Sequence, residues 1–399
     1  APQKSKNAVL EIKINRKVKK EIPDSIKVEH RDDSPFVEIS EGTLIAVKIK
    51  RKKGIDGIDI YGKMILTGKN AKDADFKIGN NIRKEEVDDR INYYADKTGI
   101  FSYSDTTINV DEELHVIGSV DILTGNVRYS RNVIIDGNIS SGFTVDCGGI
   151  LTVKGNIEKG ATVKSVEGLN VLSGIFGEET KVTVSAGDAQ LGFIQNSSIH
   201  VNGNVTINDF SYLSHVFCKG NLKILGRKNI GSNSCVVGGR LNSLGSMDLF
   251  SAGSSVSKTE LFCGFNAEVV EKLTEIRAML PSLTRKVVQL QERLGIDLKQ
   301  GGILEELQRL SPKRKEELKK QLLVLKEITT QRETLTNTAE KLEKLSFAPE
   351  TSSLEIVIHK QLIPSIYVRI GKAGQVFTER MGKVAFKVNE ESLMVSNLA

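Results

Sequence analysis

Apolar residues return about every eighteen positions through the middle of the chain. Ile139, Ile157, Ile175, Ile194, Tyr212 and Ile230 stand 18, 18, 19, 18 and 18 residues apart. A second register follows at Val145, Val163, Val182, Ile199, Phe217 and Cys235, with one extra residue at Val182 given back before Ile199. Each repeat carries a Gly-Asn pair, at Gly137-Asn138, Gly155-Asn156, Gly203-Asn204 and Gly220-Asn221. Short alternating segments punctuated by turn residues at fixed offsets predict a β-solenoid, in which each coil buries its apolar edge only against its neighbours. Gly and Asn tolerate φ > 0, so the pairs are expected at sharp corners. Coils stacked about 4.8 Å apart, six to eight of them, would span roughly 30–40 Å. A β-sandwich with even strand spacing is the competing architecture.

Two kinds of solenoid fit this period. A left-handed hexapeptide solenoid needs an aliphatic residue every six positions, and the chain keeps that rule from Ile139 through Val145, Leu151, Ile157, Val163, Leu169 and Ile175. Beyond Ile175 the phase slips, and Tyr, Phe and Cys enter the apolar positions. The right-handed parallel β-helix is therefore the preferred reading.

The pattern changes on either side. Residues 1–108 alternate at 9–14 and 43–49 as short strands do, and predict a mixed α+β domain. From 266 the period becomes helical. Val269, Leu273, Ile276, Leu280, Leu283, Val287, Leu290 and Leu294 step by four and three, a heptad seam. Gly295 ends that helix and Gly301-Gly302 falls in the turn. Ser311-Pro312 then reads as an N-cap followed by proline at the first helical position. Leu318, Leu322, Leu325, Ile328, Leu335, Ala339 and Leu342 form the returning seam, with a three-residue slip at Ile328. The two helices predict an antiparallel coiled-coil hairpin about 40–50 Å long, with a kink at Pro281. Segments 354–359, 366–370 and 384–388 alternate as strands again. The domain expectation is 1–108, 109–265 for the β-helix, 266–348 for the hairpin, and 349–399 for strands flanking or capping the β-helix.

Composition supports a continuous β-structure: 22 of 35 glycines lie in 109–264, and no proline occurs from 37 to 280. The net charge of +6 equals the excess of residues 1–53, with 14 Lys/Arg against 8 Asp/Glu. Dense runs stand at 16–20 and at Lys48-Ile49-Lys50-Arg51-Lys52-Lys53. Such runs can hold phosphates or an acidic partner, but no aromatic residue interleaves them as a stacking platform. Nucleic-acid binding is thus a minor reading. With no signal-peptide pattern and no apolar run near eighteen residues, a cytoplasmic location is expected. Cys147, Cys218, Cys235 and Cys263 lack metal-ligand spacing, and the three that lie within solenoid units are expected reduced and buried.

Catalytic constellations are scarce. His30, His115, His200, His215 and His359 are scattered, and the acids of the repeats do not recur at one register. Gly57-x-x-x-x-Gly62-Lys63 has the Walker spacing, but Met64 replaces the Ser/Thr that binds the metal, and no strand-then-helix context surrounds it. A glycine-rich turn in which Asp56 and Asp59 bond the local backbone fits better. No metal and no cofactor is expected.

The same segment carries a resemblance. Lys53-Gly54-Ile55-Asp56-Gly57-Ile58-Asp59-Ile60-Tyr61-Gly62-Lys63, followed by Thr67-Gly68-Lys69, resembles the "PG-x-x-G-x-DV(F/Y)G" element of the bacterial flagellar assembly protein A family. Gly118-Ser119-Val120-Asp121-Ile122-Leu123-Thr124-Gly125-Asn126-Val127 is similar to that family's opening coil. Val236-Val237-Gly238-Gly239-Arg240 resembles its "(I/V)VGG" coil. The helical pair and Ile363-Pro364-Ser365-Ile366-Tyr367-Val368-Arg369-Ile370-Gly371 are similar to its C-terminal part. Lys53 stands where proline is usual and Ser365 where glycine is usual. The resemblance covers roughly 40–390. It implies a non-enzymatic cytoplasmic protein with a right-handed parallel β-helix that supports flagellar assembly.

A scaffold or adaptor that docks other proteins is accordingly expected, with possible self-association through the coiled coil. The candidate contact residues are Lys50, Arg51, Lys52, Lys53, Arg285, Lys286 and Arg293. Gly54, Gly57, Asp59, Gly62, Thr124, Gly125, Asn126, Gly238 and Gly239 are expected to be structural. Two other classes remain as alternatives: a bactofilin-like self-assembling solenoid, and a solenoid acyltransferase or other carbohydrate-active enzyme.

Overall fold

A computed structural model describes residues 3–14, 36–66, 71–104, 106–227, 234–294, 311–348, 352–389 and 392–398. The basic run at 16–20, His30, the segment 67–69, Ile230, Gly295 and the Gly301-Gly302 turn lie outside them. The chain is mainly β. It divides into two compact units, one of residues 1–215 with 224–229, the other of 216–223 with 230–399.

The first unit begins with two four-stranded sheets. Val9–Ile12, Leu44–Ile49, Arg90–Ala95 and Ile82–Val87 pair antiparallel in that order. Val37–Ile39, Gly99–Ser104, Thr107–Asp111 and Lys77–Ile78 form the second. Ile45, Phe76, Tyr93, Phe101 and Ile108 close a shared core. Among the described residues of this region there are only strands and turns, so the helical part expected there has no counterpart among them.

The solenoid of this unit is three parallel ladders. One stacks Leu114, Val133, Leu151, Leu169, Ala189 and Val205. A second stacks Val127, Val145, Val163, Val182 and Ile199. The third stacks Val120, Ile139, Ile157, Ile175 and Ile194. Every one of these side chains is buried, so the interior of these coils is lined mainly by aliphatic side chains. The extra residue before Val182 sits in the corner at 177–180. There Glu179 takes φ 65°, and the Thr180 hydroxyl donates to the Gly177 carbonyl at 2.7 Å.

Two expectations need correction. Ile194 pairs with Ser211, and Tyr212 pairs with Gln195. The buried position of that coil is therefore Ser211, while Tyr212 is exposed. The aromatic residue attracted the reading because a buried serine leaves no hydrophobic signal. The Gly-Asn pairs, too, do not turn the chain through positive φ. Left-handed backbone occurs instead at Gly142, Gly160 and Gly177, which recur at the corners. Gly155 is required by proximity: a Cβ there would lie 2.1 Å from Asn138 Oδ1 and 2.6 Å from the Gly137 oxygen.

The asparagines join one coil to the next. The Asn156 backbone N–H donates to Asn138 Oδ1 at 2.9 Å. Asn156 Oδ1 in turn accepts from the Ser173 hydroxyl at 2.6 Å and the Gly174 N–H at 3.2 Å. Asp188 takes the same role toward the Asn204 N–H at 2.7 Å. Each side chain satisfies a backbone donor where the ladder is interrupted by a corner.

In the second unit the strands Val236–Ser243, Thr259–Cys263 and Ile366–Ile370 pair in parallel, with Leu241 on Leu261 and Leu261 on Val368. Met247–Ala252 pairs in parallel with Glu355–Leu362. The chain thus leaves its coil after Cys263, forms two helices, and resumes the parallel ladders at Glu355. The last strands reverse direction: Ala373–Phe377 runs antiparallel to Ile366–Ile370, and Val384–Asn389 antiparallel to Glu355–Leu362.

Helix α1 is Ala267–Leu294 and helix α2 is Pro312–Ser346. Val269, Leu273, Ile276, Leu280, Leu283, Val287 and Leu290 are all buried or half-buried, as are the seven residues read as the returning seam. Arg277 Nη2 meets Glu343 at 2.7 Å. α1 continues through Pro281, which lies exposed. Ser311 occupies the N-cap with extended backbone and Pro312 follows at N1, but the Ser311 side chain makes no capping bond.

All four cysteines are buried and unbridged. Burial pushes Cys147 up to about 11 and Cys218 and Cys263 up to about 12, so at neutral pH they are thiols. The Cys263 thiol donates to the Gly245 carbonyl at 3.0 Å.

Candidate interaction surfaces

The mount of the helix pair is built from polar and aromatic residues that the repeat places together. Gly238 and Gly239 both take positive φ, 64° and 77°, and the Gly238 N–H donates to Thr259 Oγ1 at 2.9 Å. This double turn precedes Arg240. Its Nε donates to Glu260 at 2.9 Å and its Nη1 to Glu271 of α1 at 2.8 Å, and its guanidinium lies over the Phe262 ring. Burial opposes the charge on Arg240, but the bond to Glu260 and the nearby Glu271 outweigh it and hold the guanidinium protonated. Glu260 is likewise disfavoured by burial, yet Lys258 and Arg240 bring its carboxyl below the ordinary value.

Asn242 is the centre of the mount and is buried. Its Nδ2 donates to the Phe265 carbonyl at 2.6 Å and the Phe262 carbonyl at 3.2 Å. Its Oδ1 accepts from the Ala267 N–H at 2.8 Å, satisfying one of the donors left open at the start of α1. Asn266 Oδ1 accepts from the Val269 N–H at 3.2 Å as the N-cap. The Asn266 N–H donates to the Ser346 carbonyl at 2.8 Å, and the Ala348 N–H to the Gly264 carbonyl at 2.9 Å. Phe265 and Phe347 pair at the exit and return points, and Arg369 stacks over Phe265 with 4.3 Å to the ring centroid. Arg285, Lys286 and Arg293, farther along α1, are exposed.

Sequence reasoning missed Arg240 and Asn242 as anchoring residues. Arg240 closes a quoted motif, but the acidic partners that give it meaning lie 20 and 31 residues away. No local pattern marks Asn242.

The N-terminal basic run is largely committed within its own domain. Lys48 is buried and meets Asp73 at 3.2 Å and Asp75 at 3.1 Å. Burial works against its charge, and the two carboxylates more than compensate. Lys50 pairs with Glu86 at 3.0 Å, Lys52 pairs with Asp89, and Arg51 reaches the Ala71 carbonyl at 3.4 Å. Lys53 has no ion-pair partner among the described residues.

The motif around Gly54 and Gly57 forms a hairpin of Gly57–Ile58 and Met64–Ile65. Asp59 Oδ1 accepts the N–H groups of Tyr61 at 2.9 Å and Lys63 at 2.7 Å. Gly62, at φ 79°, donates to the Asp59 carbonyl at 3.1 Å. The opening-coil motif uses the same device. Asp121 Oδ1 accepts from the Leu123 N–H at 2.8 Å, and Thr124 Oγ1 donates to the Ser119 carbonyl at 2.8 Å. Gly125 takes φ 70°, and Asn126 Oδ1 accepts from the Thr144 N–H at 2.8 Å. These motif residues hold turns together.

Ser365, where the resembling family has glycine, keeps a left-handed backbone at φ 70°. A β-carbon in that region costs about 1–2 kcal/mol. Ser365→Gly is therefore expected to raise stability by about 1 kcal/mol after the entropy of the unfolded glycine is counted, read as a higher urea midpoint. An unchanged or lower midpoint would contradict a strained turn.

Acid sensitivity follows from stacked ion pairs. Asp136 lies between Lys154 at 2.8 Å and His115 at 2.9 Å, and the bonds from Lys154 and then His115 lower its pKa. Asp248 repeats the arrangement with Lys223 at 3.0 Å and His359 at 2.6 Å. Burial raises its pKa, and its two partners lower it further than burial raises it. A carboxyl whose folded pKa is depressed contributes stability above its unfolded value, here 3.8, and loses it as pH falls through the folded value. Thermal stability should therefore be insensitive to these groups between neutral pH and about 5, then fall below about 4. Asp136→Asn should flatten that acid limb, as a melting series across pH would record.

Among the described residues no group of three or more His, Cys, Asp or Glu side chains could hold a metal ion. No described helix is long and apolar enough to cross a membrane. Residues 112–393 match the family described as the Flagellar Assembly Protein A beta solenoid domain, and residues 1–106 match that described as the Flagellar Assembly Protein A N-terminal region. No curated protein and no solved structure gives a significant match.

Proposed function

The chain belongs to the Flagellar Assembly Protein A family, and from that premise we propose that it is a non-enzymatic cytoplasmic scaffold supporting flagellar assembly through protein–protein contacts. The observation that carries this reading is the mount. Buried bonds from Asn242 and the Arg240 ion pairs fix the base of α1, while Arg285, Lys286 and Arg293 stay exposed. A rigidly held arm with an open charged face is suited to presenting a surface to a partner.

The finer architecture belongs to the same proposal. It comprises a right-handed β-helix with coils of about eighteen residues, an antiparallel coiled-coil hairpin over 266–348, an N-terminal domain over 1–108, and C-terminal strands over 349–399 that cap one end. The antiparallel turn of the last strands favours a discrete particle over an end-to-end, bactofilin-like polymer, since a reversed strand offers no parallel ladder to extend.

Charge reversal of Arg285, Lys286 and Arg293 together is expected to weaken capture of flagellar assembly factors at least about tenfold, for three exposed charges at a rim. The melting temperature should not change, since none of the three has an ion-pair partner among the described residues. Equal capture by the reversed and native proteins would move the contact away from α1.

A further inference from the structure

Beyond the adaptor reading, and independent of it, we propose that the last strand, Ser392–Asn397, pairs antiparallel with the same strand of a second copy of the chain, with Met394 on the two-fold axis. This strand is bonded on one side only, to Val384–Asn389, in a register unbroken over six residue pairs. Its other side is an open edge among the described residues. Native sheets blunt such an edge with charge, proline or a bulge. The N-terminal domain does so: its edge strand Ile82–Val87 carries Arg83, Lys84, Glu85 and Glu86 in succession. Ser392–Asn397 has none of these devices. It is uncharged, with Leu393, Met394 and Val395 in a row. Met394 is 50% exposed and Val395 39%.

Hydrogen-bond geometry limits what can cover this edge. The Leu398 N–H donates to the opposite Lys383 carbonyl at 3.0 Å. Bonded pairs alternate along an antiparallel ladder, so Ser392, Met394 and Ser396 bond inward. The N–H and C=O groups of Leu393, Val395 and Asn397 therefore point outward, where an added strand would satisfy them. Two copies must match outward positions with outward positions. With Met394 on the axis, Leu393 opposes Val395 of the second copy and Val395 opposes its Leu393, each pair exchanging two backbone bonds. Ser392 opposes Ser396. Leu393 and Val395 share the face of Val388 and the buried Phe386, across from which they stand, so the apolar inner face continues from one copy to the other. The two Met394 side chains meet on the outer face. Moving the axis to Val395 would set Leu393 against Asn397, and moving it to Leu393 would set Val395 against Glu391. Charge does not oppose the chosen register. Glu390 and Glu391, which precede the strand and lie outside the described residues, have Leu398 and Asn397 as their counterparts. Lys387, beside Met394, is paired with Glu355 at 3.1 Å.

A contact one strand wide is smaller than a standard interface, so a dissociation constant in about the micromolar range is expected. Sedimentation equilibrium of the full chain over about 1–100 µM should show a mass that rises to twice that of the chain and stops, because an isologous contact closes at two copies. Met394→Lys and Met394→Glu each set like charges face to face across the axis, and each should raise the dissociation constant about tenfold or more. Met394 is half exposed, so the melting temperature of the two variants should stay that of the native chain. An equimolar mixture of the Met394→Lys and Met394→Glu proteins should recover the dimer, since opposite charges then meet at the axis. A native chain that stays monomeric throughout this range overturns the proposal. So does a dimer that both variants leave intact, which would move self-association to another surface such as the helix pair. Association lost in both variants and not recovered on mixing would also overturn it, by removing Met394 from the axis, and growth beyond two copies would exclude the closed pair.

Discussion

Alanine at position 155 is expected to cost the solenoid about 2–5 kcal/mol, from overpacking together with loss of a coil-to-coil hydrogen bond. The added carbon would lie 2.1 Å from Asn138 Oδ1 and 2.6 Å from the Gly137 oxygen. Either the coils separate or Asn138 withdraws from the Asn156 N–H that it now holds at 2.9 Å. Gly160→Ala provides the contrast. There the backbone is left-handed at φ 69°, but the nearest atom to a Cβ is 3.9 Å away, so only conformational strain of about 1–2 kcal/mol applies. Urea midpoints should therefore rank native above Gly160→Ala above Gly155→Ala. The reverse order would mean that close approach of the neighbouring coil is not what requires glycine at 155.

Loss of Asn242 should be the most damaging single polar change in the second unit. Asn242→Ala leaves the Phe262 and Phe265 carbonyls and the Ala267 N–H without their side-chain partner in a buried setting. At about 1–3 kcal/mol for each unsatisfied group, a total of about 3–5 kcal/mol is expected, since the cavity admits some relaxation. Asn242→Asp should not rescue it. The carboxylate keeps the bond from Ala267 but faces two carbonyl oxygens with no donor. Amide exchange should rise first at 266–270 and 346–348, where the helices join the solenoid. Protection unchanged in those segments would show that the Phe265–Phe347 contact alone holds the mount.

The repeat was legible because aliphatic residues at ladder positions leave a periodic trace, and the slip at Val182 was read correctly from spacing alone. The two helices were legible from a helical period in the same way. What escaped was chemistry without period. Ser211 fills an interior position as a small polar residue, and Tyr212 beside it drew the register one residue too far. The Gly-Asn pairs do stand at bends, but without the positive φ expected of them: glycine there admits a neighbouring coil and asparagine bonds to it. The basic run at Lys50, Arg51 and Lys52 looked open to a partner, because Glu86 and Asp89 come from a strand pair some 36 residues away. Arg240 and Asn242 join segments that meet only after the solenoid has wound.

The proposed role of the helix pair as the working arm of a flagellar scaffold can be separated from its part in the fold. Phe265 pairs with Phe347, and Asn266 bonds Ser346, so a short glycine-serine bridge can replace residues 268–345 without parting the two ends. The most direct measurement is the number of flagella on cells whose only copy of the protein is this shortened chain, with its melting temperature checked alongside. A stably folded solenoid and cells with few or no flagella are expected. Normal flagellation by the shortened chain would contradict that role, and would assign the function to the solenoid or the N-terminal domain.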